Sequence, residues 1–397
     1  MASTLFREEL IALRKQGMFR SLRVLRGEPG PLIDVGSRRA LLLCSNNYLG
    51  LANDERVKNA ACRAVHHYGT GSTGSRLISG NIEPHIELEQ ELASFKGTEA
   101  ALVFASGYHA NIGTIPALVG PGDVIFSDAL NHASLIDGAR LSRAEICIYR
   151  HGDAADLADQ LQRQTSARRK LIITESIFSM DGDQAPLAEI AKIAREQGAM
   201  MMVDEAHGTG VFGPSGAGLV EELGLSRDVD VQMGTFSKAI GSHGGYVAGS
   251  RKLIEFLVNR ARSFIFTTGL PPAVLAASAE AIRIIRSEPQ RRAQLWRNVR
   301  QLRDGLRELG FTTGPTKSQI IPVMIGDERR TMSACRFLLQ QGVFVQGIRP
   351  PTVPSGTARL RVAPMATHTE AQLQEALHTF KKMANLMNAP KRRKNGQ

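Results

Sequence analysis

A lysine and an acidic residue each follow a predicted strand, in positions where side chains can do chemistry. Asp204 follows the apolar run 200–203, and His207 comes three residues later. Lys238 follows the predicted strand 229–233 and is surrounded by hydroxyl residues and glycines. Because functional side chains of a parallel α/β sheet gather at the carboxyl ends of its strands, we expect Asp204 and Lys238 to share one site. Taken singly, each residue has an ordinary interpretation. Asp204 could be a loop carboxylate that caps the next segment, and Lys238 could be a surface lysine.

The combination matches the needs of pyridoxal phosphate (PLP). This cofactor requires a lysine for its Schiff base, an acidic partner for its ring nitrogen, and a loop of N–H and hydroxyl donors for its phosphate. Lys238, Asp204 and the loop 106–108 (Ser-Gly-Tyr) supply all three. His132 is a candidate for stacking on the ring, although viewed alone it would be interpreted as a structural histidine. The sequence therefore predicts a PLP site and no metal site.

The chain also resembles a known family, the PLP-dependent α-oxoamine synthases of fold type I. The resemblance covers nearly the whole chain, and its motifs occur in the family's order: 45–50 (SNNYLG), 71–76 (GSTGSR), 106–111 (SGYHAN), 131–134 (NHAS), 204–207 (DEAH), 235–238 (TFSK), 348–354 (IRPPTVP) and 357–361 (TARLR). It implies an aminotransferase-like α/β fold, with a large, mostly parallel-sheet domain and a smaller C-terminal α/β domain. One departure is Ser237, where many relatives have glycine; it affects the phosphate loop and not the assignment.

The resemblance implies a role for each site residue. Lys238 would carry the cofactor and take the proton from the α-carbon of the amino acid, while Asp204 pairs with the pyridine nitrogen and His132 stacks on the ring. His207 completes the implied catalytic set and, with Ser179, would reach the ring's 3-hydroxyl. The implied cofactor contacts are Ser106, Gly107, Tyr108, His132, Ser179, Asp204, His207, Thr235 and Lys238, joined by Thr267 or Thr268 from the other subunit of a homodimer.

The implied reaction is the decarboxylative condensation of an amino acid with an acyl thioester. The implied substrate-binding residues are Arg20, Asn47, Ser75, Arg349 and Arg361. Arg361 would bind the carboxylate of the amino acid bidentately. Ser75 favours L-alanine, because it is smaller than the threonine typical of glycine-specific members. Arg20 or Arg23 would meet the distal carboxylate of a pimeloyl chain; the alternative is that both are surface arginines.

Several alternatives stay open at this point. The run 348–354 is most like that of the family members in biotin biosynthesis, but 2-amino-3-ketobutyrate coenzyme A ligase and serine palmitoyltransferase activities remain alternatives. Either coenzyme A or acyl carrier protein would carry the acyl group. A remote alternative of another class is a non-catalytic, PLP-sensing module. That alternative predicts degraded catalytic residues and an attached DNA-binding domain, for which the residues before Ser45 are too few.

The amino-acid composition and charge of the chain limit the classes of function that it can have. Hydrophobic residues make up 43% and charged residues 22% of the 397 residues, which is the balance of a globular chain and excludes disorder. We expect no membrane span and no secretory signal, and the four widely separated cysteines indicate the cytoplasm. The net charge of +11 comes from scattered basic residues, and only 5% of residues are aromatic. We therefore expect small acidic ligands and no nucleic acid.

The hydrophobic pattern predicts helices and strands that alternate from about residue 85, as in a mostly parallel sheet covered on both faces. We expect an N-terminal helical segment over residues 1–44, with a helix across the first 25, then a large PLP-binding domain over 45–280, a small domain over 281–390 and a basic tail over 391–397. Residues 263–266 are predicted to be strand-like. The run 69–74 (GTGSTG) has the letters of a dinucleotide-binding loop, but a predicted helix precedes it, so we interpret it as a loop near a ligand.

Overall fold

The computed structural model describes residues 2–15, 18–164 and 166–388, and the predicted basic tail at 391–397 lies outside these residues. In chain order, the α-helices are α1 (Ala2–Lys15), α2 (Glu55–Tyr68), α3 (Glu83–Lys96), α4 (Gly107–Leu118), α5 (Ala133–Ser142), α6 (Ala154–Arg163), α7 (Leu187–Glu196), α8 (Leu219–Glu222), α9 (Arg251–Arg260), α10 (Arg262–Ile265), α11 (Pro272–Ser287), α12 (Pro289–Glu308), α13 (Glu328–Gln340) and α14 (Glu370–Asn388). A 3₁₀ turn covers Leu51–Asn53.

The strands form three sheets. In chain order they are β1 (Leu25–Arg26), β2 (Leu32–Val35), β3 (Arg38–Leu42), β4 (Ala100–Phe104), β5 (Val124–Asp128), β6 (Glu145–Tyr149), β7 (Lys170–Glu175), β8 (Met200–Asp204), β9 (Val231–Thr235), β10 (Gly245–Gly249), β11 (Ile321–Gly326), β12 (Val343–Phe344), β13 (Gln346–Ile348) and β14 (Ala358–Val362).

The central sheet has the strand order β4-β10-β9-β8-β7-β5-β6. All of its strands run parallel except β10, which is antiparallel to both β4 and β9. The predicted mostly parallel sheet is thus confirmed. Its parallel arrangement brings the carboxyl ends of β5, β7, β8 and β9 to one edge, where the loops that follow these strands meet.

The central strands are apolar along their whole length because both faces of the sheet are covered. In β7, Leu171 and Ile173 belong to one apolar cluster and Ile172 belongs to another, as the alternation of side chains along a strand requires. All three side chains are fully buried. Burial of each contributes about 1.5–3 kcal/mol, so the strands that carry the site residues form a rigid support.

The N-terminal segment is less helical than predicted. The helix α1 ends at Lys15, and residues 25–42 form β1, β2 and β3, which join β12 from the C-terminal part in a four-stranded sheet. The prediction of one helix across the first 25 residues was therefore wrong in its length. Side chains of Leu10 and Leu13 border a depression shared with Pro351, so α1 lies near the C-terminal loop around residue 351.

The C-terminal part contains a three-stranded sheet in the order β11-β14-β13, covered by helices that include α13. The expected boundary near residue 280 falls inside α11, which packs against α2 and α3. The division into a large and a small domain stays a prediction. One local prediction was wrong: residues 263–266 lie largely in the short helix α10, whose apolar Phe264 packs beside α4.

Candidate active site

Lys238 and His207 meet at the carboxyl edge of the central sheet. Lys238 lies in the bend after β9 and His207 in the turn after β8, and these two strands are parallel neighbours. The Nζ atom of Lys238 is 2.9 Å from Nε2 of His207. Burial lowers the pKa of Lys238 to about 8, although the negative charge of Asp204 opposes the shift. The neutral amine, which is the form that acts as nucleophile or base, is therefore more populated near neutral pH than in a surface lysine.

Asp204 is held rigidly at the last position of β8. Its carboxylate is buried and accepts two hydrogen bonds, from Nδ2 of Asn111 at 2.9 Å and from the backbone N–H of Ala206 at 2.9 Å. Asn111 lies on α4, within a motif noted in the sequence but not predicted as a site residue. Nδ2 of Asn111 also donates to the Ser134 hydroxyl at 2.8 Å, which lies 2.8 Å from Nδ1 of His132, so shared partners connect Asp204 with His132. Lys238 follows the neighbouring strand β9.

His132 directly precedes α5 and caps its first turn. Its Nδ1 atom accepts from the backbone N–H of Ser134 at 3.2 Å and lies 2.8 Å from the Ser134 hydroxyl. Partial burial and the positive charge of Lys238 lower the pKa of His132, whereas Asp204 opposes that shift. The ring is therefore neutral and fixed in place, as a side chain that stacks on an aromatic cofactor must be.

The N-terminus of α4 forms a cradle of hydrogen-bond donors beside the end of β9. Ser106 caps α4, and Gly107 packs so closely against Thr235 that a Cβ atom at Gly107 would lie 3.2 Å from Cβ of Thr235. The Thr235 hydroxyl lies 2.9 Å from the hydroxyl of Ser237 and donates to the carbonyl of Gly244 at 2.7 Å. Helix N–H groups and hydroxyls in this arrangement fit a phosphate group.

Tyr108 lies at the exposed rim of this cradle. Its hydroxyl donates to Oδ2 of Asp137 at 2.7 Å, and 44% of the residue is accessible to solvent. The structure thus brings all three residues of the loop 106–108 to the site, but gives Tyr108 a protein partner of its own.

Arg361 lies on β14 and reaches the central sheet from the C-terminal part. It is 7% exposed, its Nε donates to the carbonyl of Ser179 at 2.7 Å, and its Nη2 donates to Oδ1 of Asn46 at 3.2 Å and to the Tyr48 hydroxyl at 3.3 Å. These bonds orient the guanidinium and, among the described residues, leave Nη1 for a ligand. Such a fixed, planar group is suited to a carboxylate.

Asn47 has a different setting from the predicted one. Its Nδ2 donates to the carbonyl of Pro29 at 2.9 Å, and its Oδ1 accepts from the backbone N–H of Ala52 at 3.2 Å. Its neighbour Asn46 is the residue that contacts Arg361. A substrate contact by Asn47 stays a prediction.

The structure places Thr267, Thr268 and Ser75 together. Thr268 and Ser75 form an isolated antiparallel bridge, and both threonines line a small cavity with Arg76 and His85. Within the described part of this chain, no hydrogen bond joins Thr267 or Thr268 to the phosphate cradle. Their expected contact with the partner subunit's cofactor therefore stays a prediction.

A cavity of about 570 Å³ lies between the N-terminal segment 18–25 and the C-terminal residues 344–352. Three arginines line it: Arg20, Arg23 and Arg349. Nη2 of Arg349 donates to the carbonyl of Phe19 at 3.4 Å, and the Arg23 guanidinium lies 5.5 Å from the ring centre of Phe344. Arg20 and Arg349, predicted separately, thus border one space with both apolar and positively charged walls.

Besides Asn111, two further buried residues of the site were not predicted as site residues. Glu175 ends β7, pairs in register with Asp204 and is 3% exposed, and both burial and the charge of Asp204 raise its pKa well above the usual range. The hydroxyl of Tyr48 is 2.7 Å from Nδ1 of His207. The position of Glu175 at the end of an apolar strand could have identified it as a candidate site residue from the sequence. For Tyr48, the sequence offered only its place in the motif 45–50.

The comparison with known families agrees with this geometry. The family model described as "Aminotransferase class I and II" matches residues 38–380. The chain belongs to this family. The predicted fold class is thereby confirmed, and the lysine, aspartate and helix N-terminus above are the residues of this family member that fit PLP.

Curated relatives within the family are similar over nearly the whole chain. The 8-amino-7-oxononanoate synthase of Geobacter sulfurreducens is 53% identical over 93% of this chain and 95% of its own, and that of Geotalea daltonii is 53% identical over 94% and 95%. Among solved structures, the serine palmitoyltransferase of Sphingomonas wittichii has a TM-score of 0.92 at 38% identity, with 96% of this chain and 97% of its own covered.

The described residues add two negative findings about this family member. No helix among residues 2–15, 18–164 and 166–388 has the length and apolar character needed to cross a membrane. Over the same residues, no group of three or more His, Cys, Asp or Glu side chains is arranged to hold a metal ion.

Proposed function

We propose that this chain is a PLP-dependent 8-amino-7-oxononanoate synthase. It condenses L-alanine with a pimeloyl thioester and releases 8-amino-7-oxononanoate, carbon dioxide and the free thiol. The observation that supports the proposal is that Lys238, His207 and Asp204 lie together at the carboxyl edge of the central sheet, in a chain 53% identical to proteins of that name. A non-catalytic sensor is not supported, because these catalytic residue types are all present.

Bound PLP supplies an electron sink that stabilises negative charge on the α-carbon of the amino acid. Lys238 would hold the cofactor, and its neutral amine, when free, would take the α-proton of the amino acid and later return a proton. The lowered pKa of about 8 keeps this amine available as a base. Asp204 keeps a proton on the ring nitrogen, since its carboxylate is fixed by Asn111 and Ala206.

Arg361 determines the orientation of the amino acid. Its guanidinium, held by the Ser179 carbonyl, binds the carboxylate and so presents the α-proton to Lys238. With PLP bound, His132 would stack on its ring, and His207 and Ser179 would bind its 3-hydroxyl. The Ser106 hydroxyl and the N–H groups at Gly107 and Tyr108 would bind the phosphate, and Thr235 would join them by turning its hydroxyl away from the Gly244 carbonyl.

The cavity between the N-terminal and C-terminal segments accommodates the acyl chain. Its apolar walls suit the methylene groups of a pimeloyl chain, and Arg20, Arg23 and Arg349 supply positive charge for the distal carboxylate. The thiol carrier is coenzyme A or acyl carrier protein, both of which are acidic and suit a net charge of +11. We place the enzyme in the cytoplasm, where its free cysteines stay reduced.

Serine palmitoyltransferase activity is a second candidate, because the solved structure from Sphingomonas wittichii has a TM-score of 0.92. The identity of 38% to that protein, against 53% to the 8-amino-7-oxononanoate synthases, favours the first candidate. The two candidate activities also differ in the far end of the acyl chain. A pimeloyl chain ends in a carboxylate, which suits the three arginines around the cavity, whereas a palmitoyl chain ends in a methyl group.

Mass spectrometry of the products tests the proposal. The holoenzyme is incubated with alanine, glycine or serine, each with pimeloyl, acetyl or palmitoyl coenzyme A. We expect 8-amino-7-oxononanoate from alanine and the pimeloyl thioester as the main product. A preference for glycine with the acetyl thioester, or for serine with the palmitoyl thioester, would contradict the proposal in favour of 2-amino-3-ketobutyrate ligase or serine palmitoyltransferase activity.

A further inference from the structure

A continuous set of hydrogen bonds connects the lysine and the arginine of the site through Tyr48. Tyr48 is fully buried, and its hydroxyl oxygen is 2.7 Å from Nδ1 of His207. Nε2 of the same histidine is 2.9 Å from Nζ of Lys238. On the other side, Nη2 of Arg361 donates to the Tyr48 oxygen at 3.3 Å. The proposed function uses His207, Lys238 and Arg361 but assigns nothing to Tyr48.

The single proton of the Tyr48 hydroxyl determines which nitrogen of His207 is protonated. Arg361 has donors only, so the Tyr48 oxygen accepts from it and its own proton goes to another acceptor. Two acceptors are within reach, Nδ1 of His207 at 2.7 Å and Oδ1 of Asn46 at 3.1 Å. The distance to His207 is the shorter by 0.4 Å, and on this ground we assign the proton to the contact with Nδ1. A neutral imidazole that accepts at Nδ1 carries its proton on Nε2.

Other contacts keep His207 neutral and in place. Burial, together with the positive charges of Lys238 and Arg361, lowers the pKa of His207 well below its usual value. Nε2 of Gln319 donates to the backbone carbonyl of His207 at 2.9 Å, which fixes the turn that carries the ring. In the holoenzyme the Lys238 nitrogen is bonded to the cofactor, so Tyr48 remains as the protein group that sets the tautomer.

Resting on the proposed function, we propose that Tyr48 is a positioning residue that fixes His207 in the Nε2–H tautomer and connects that ring to the carboxylate-binding Arg361. The Nε2–H group then presents a donor toward the cofactor. Loss of the Tyr48 hydroxyl leaves Nδ1 of His207 buried without its partner, which removes the preference for this tautomer and ring orientation.

Nuclear magnetic resonance of the holoenzyme labelled with ¹⁵N-histidine tests this inference. The ring nitrogens of His207 are identified by the loss of their signals in His207→Asn. We expect a protonated Nε2 and an unprotonated Nδ1 in the wild type, and a proton shared with or moved to Nδ1 in Tyr48→Phe. Tyr246→Phe is the matched control, because Tyr246 is also fully buried but its hydroxyl lies 2.8 Å from that of Thr209. Its His207 signals should equal those of the wild type.

Kinetics give a second measurement. Tyr48→Phe should lower kcat/KM for the amino acid about tenfold, because a buried hydrogen bond near the reacting groups is lost, whereas Tyr246→Phe should change it less than about twofold. A wild-type ring protonated on Nδ1, or a Tyr48→Phe spectrum identical to the wild type, overturns the inference. The wild-type spectrum decides the question even if Tyr48→Phe does not fold. Because product identity is measured separately, an unexpected product with the expected tautomer would refute only the proposed function.

Discussion

At the scale of single residues, the environment of a lysine determines whether it can act as a base. Lys96 is fully buried, but its Nζ is 2.7 Å from Oε2 of Glu205. That carboxylate outweighs the effect of burial, so the pKa of Lys96 is raised and the lysine stays charged. Lys238 has His207 as its nearest partner, and burial lowers its pKa to about 8. The pKa values of these two lysines, the first fully buried and the second half-buried, are thus shifted in opposite directions, and of the two Lys238 is suited to catalysis.

The change Asp204→Asn tests the role of the carboxylate. Without an anionic partner the ring nitrogen loses its proton, so we expect kcat to fall by several orders of magnitude, equivalent to about 4–7 kcal/mol of transition-state stabilisation. The melting temperature should change far less, because an asparagine side chain keeps the shape of the aspartate that it replaces. Steady-state kinetics and thermal unfolding measure the two effects.

Asp230→Asn is the control for this change. Asp230 accepts from the backbone N–H of Met201, at the other end of the same strand β8. Its replacement should affect stability and leave kcat nearly unchanged. Near-normal turnover in Asp204→Asn would remove Asp204 from the proposed role.

Lys238 and Asp204 could be predicted from the sequence because each follows an apolar strand, and ligands bind at the carboxyl ends of the strands in a parallel sheet. Tyr48 could not be assigned in this way. Its contacts with His207 and Arg361 span 159 and 313 residues of chain, and no local pattern reports such pairings. The same limit applies to Asn46, whose contact with Arg361 spans 315 residues of chain.

At the scale of elements, His151 joins two of the loops that form the site. Its Nδ1 is 2.8 Å from Asp128, at the end of β5 and before His132, and its Nε2 is 2.8 Å from Asp183, in the loop that also contains Ser179. Burial alone would lower the pKa of His151, but the two carboxylates outweigh it and raise the pKa to about 10. The protonated ring therefore holds the two loops together.

This contact predicts a pH dependence of stability. The pKa of a histidine in the unfolded chain is about 6.5, so the stabilisation by His151 is complete below that pH and is lost as the pH rises through 10. Between pH 6 and 7 we expect His151→Gln to lower the free energy of unfolding by about 1–3 kcal/mol. The difference from the wild type should shrink as the pH approaches 10.

Denaturant unfolding at a series of pH values measures this difference. His66→Gln, on an exposed position of α2, is the control and should match the wild type at each pH. A difference between His151→Gln and the wild type that stays constant from pH 6 to pH 10 would contradict a charged His151.

The predicted elements differ from the observed ones where tertiary contacts override local pattern. Residues 263–266 have strand-like composition, yet most of them form α10, because Phe264 is buried against α4 and Phe104. The helix predicted across the first 25 residues ends at Lys15. The strands β1, β2 and β3 that follow belong to one sheet, in which β3 pairs with β12, about 300 residues further along the chain. Such distant pairing leaves no periodic signal in the segment itself.

At the scale of the whole molecule, the site combines parts that are far apart in sequence. Arg361 comes from the C-terminal sheet, Lys238 and Asp204 from the central sheet, and Tyr48 from the segment before α2. We propose that a homodimer adds a fourth contribution, in which Thr267 and Thr268 reach the other subunit's phosphate. The half-buried Thr267 and exposed Thr268, next to the exposed Phe266, suit such a surface.

Mixing two inactive variants tests shared sites. The two variants are Lys238→Ala and the double change Thr267→Val with Thr268→Val. A hybrid dimer would have one site with both defects and one site with neither, so random pairing of equal amounts should restore about a quarter of wild-type activity. Absence of recovery after demonstrated subunit exchange, with both parent variants inactive, would show that each subunit builds its site alone.

The most direct test of the account is to identify the residue that binds the cofactor. The purified holoenzyme should be yellow, and reduction with borohydride followed by proteolysis and mass spectrometry should place PLP on one peptide, at Lys238. Lys238→Ala should still bind PLP, without a covalent bond, and should fail to exchange the α-proton of alanine with solvent. Recovery of the label on any other lysine, Lys96 included, would contradict the site described above.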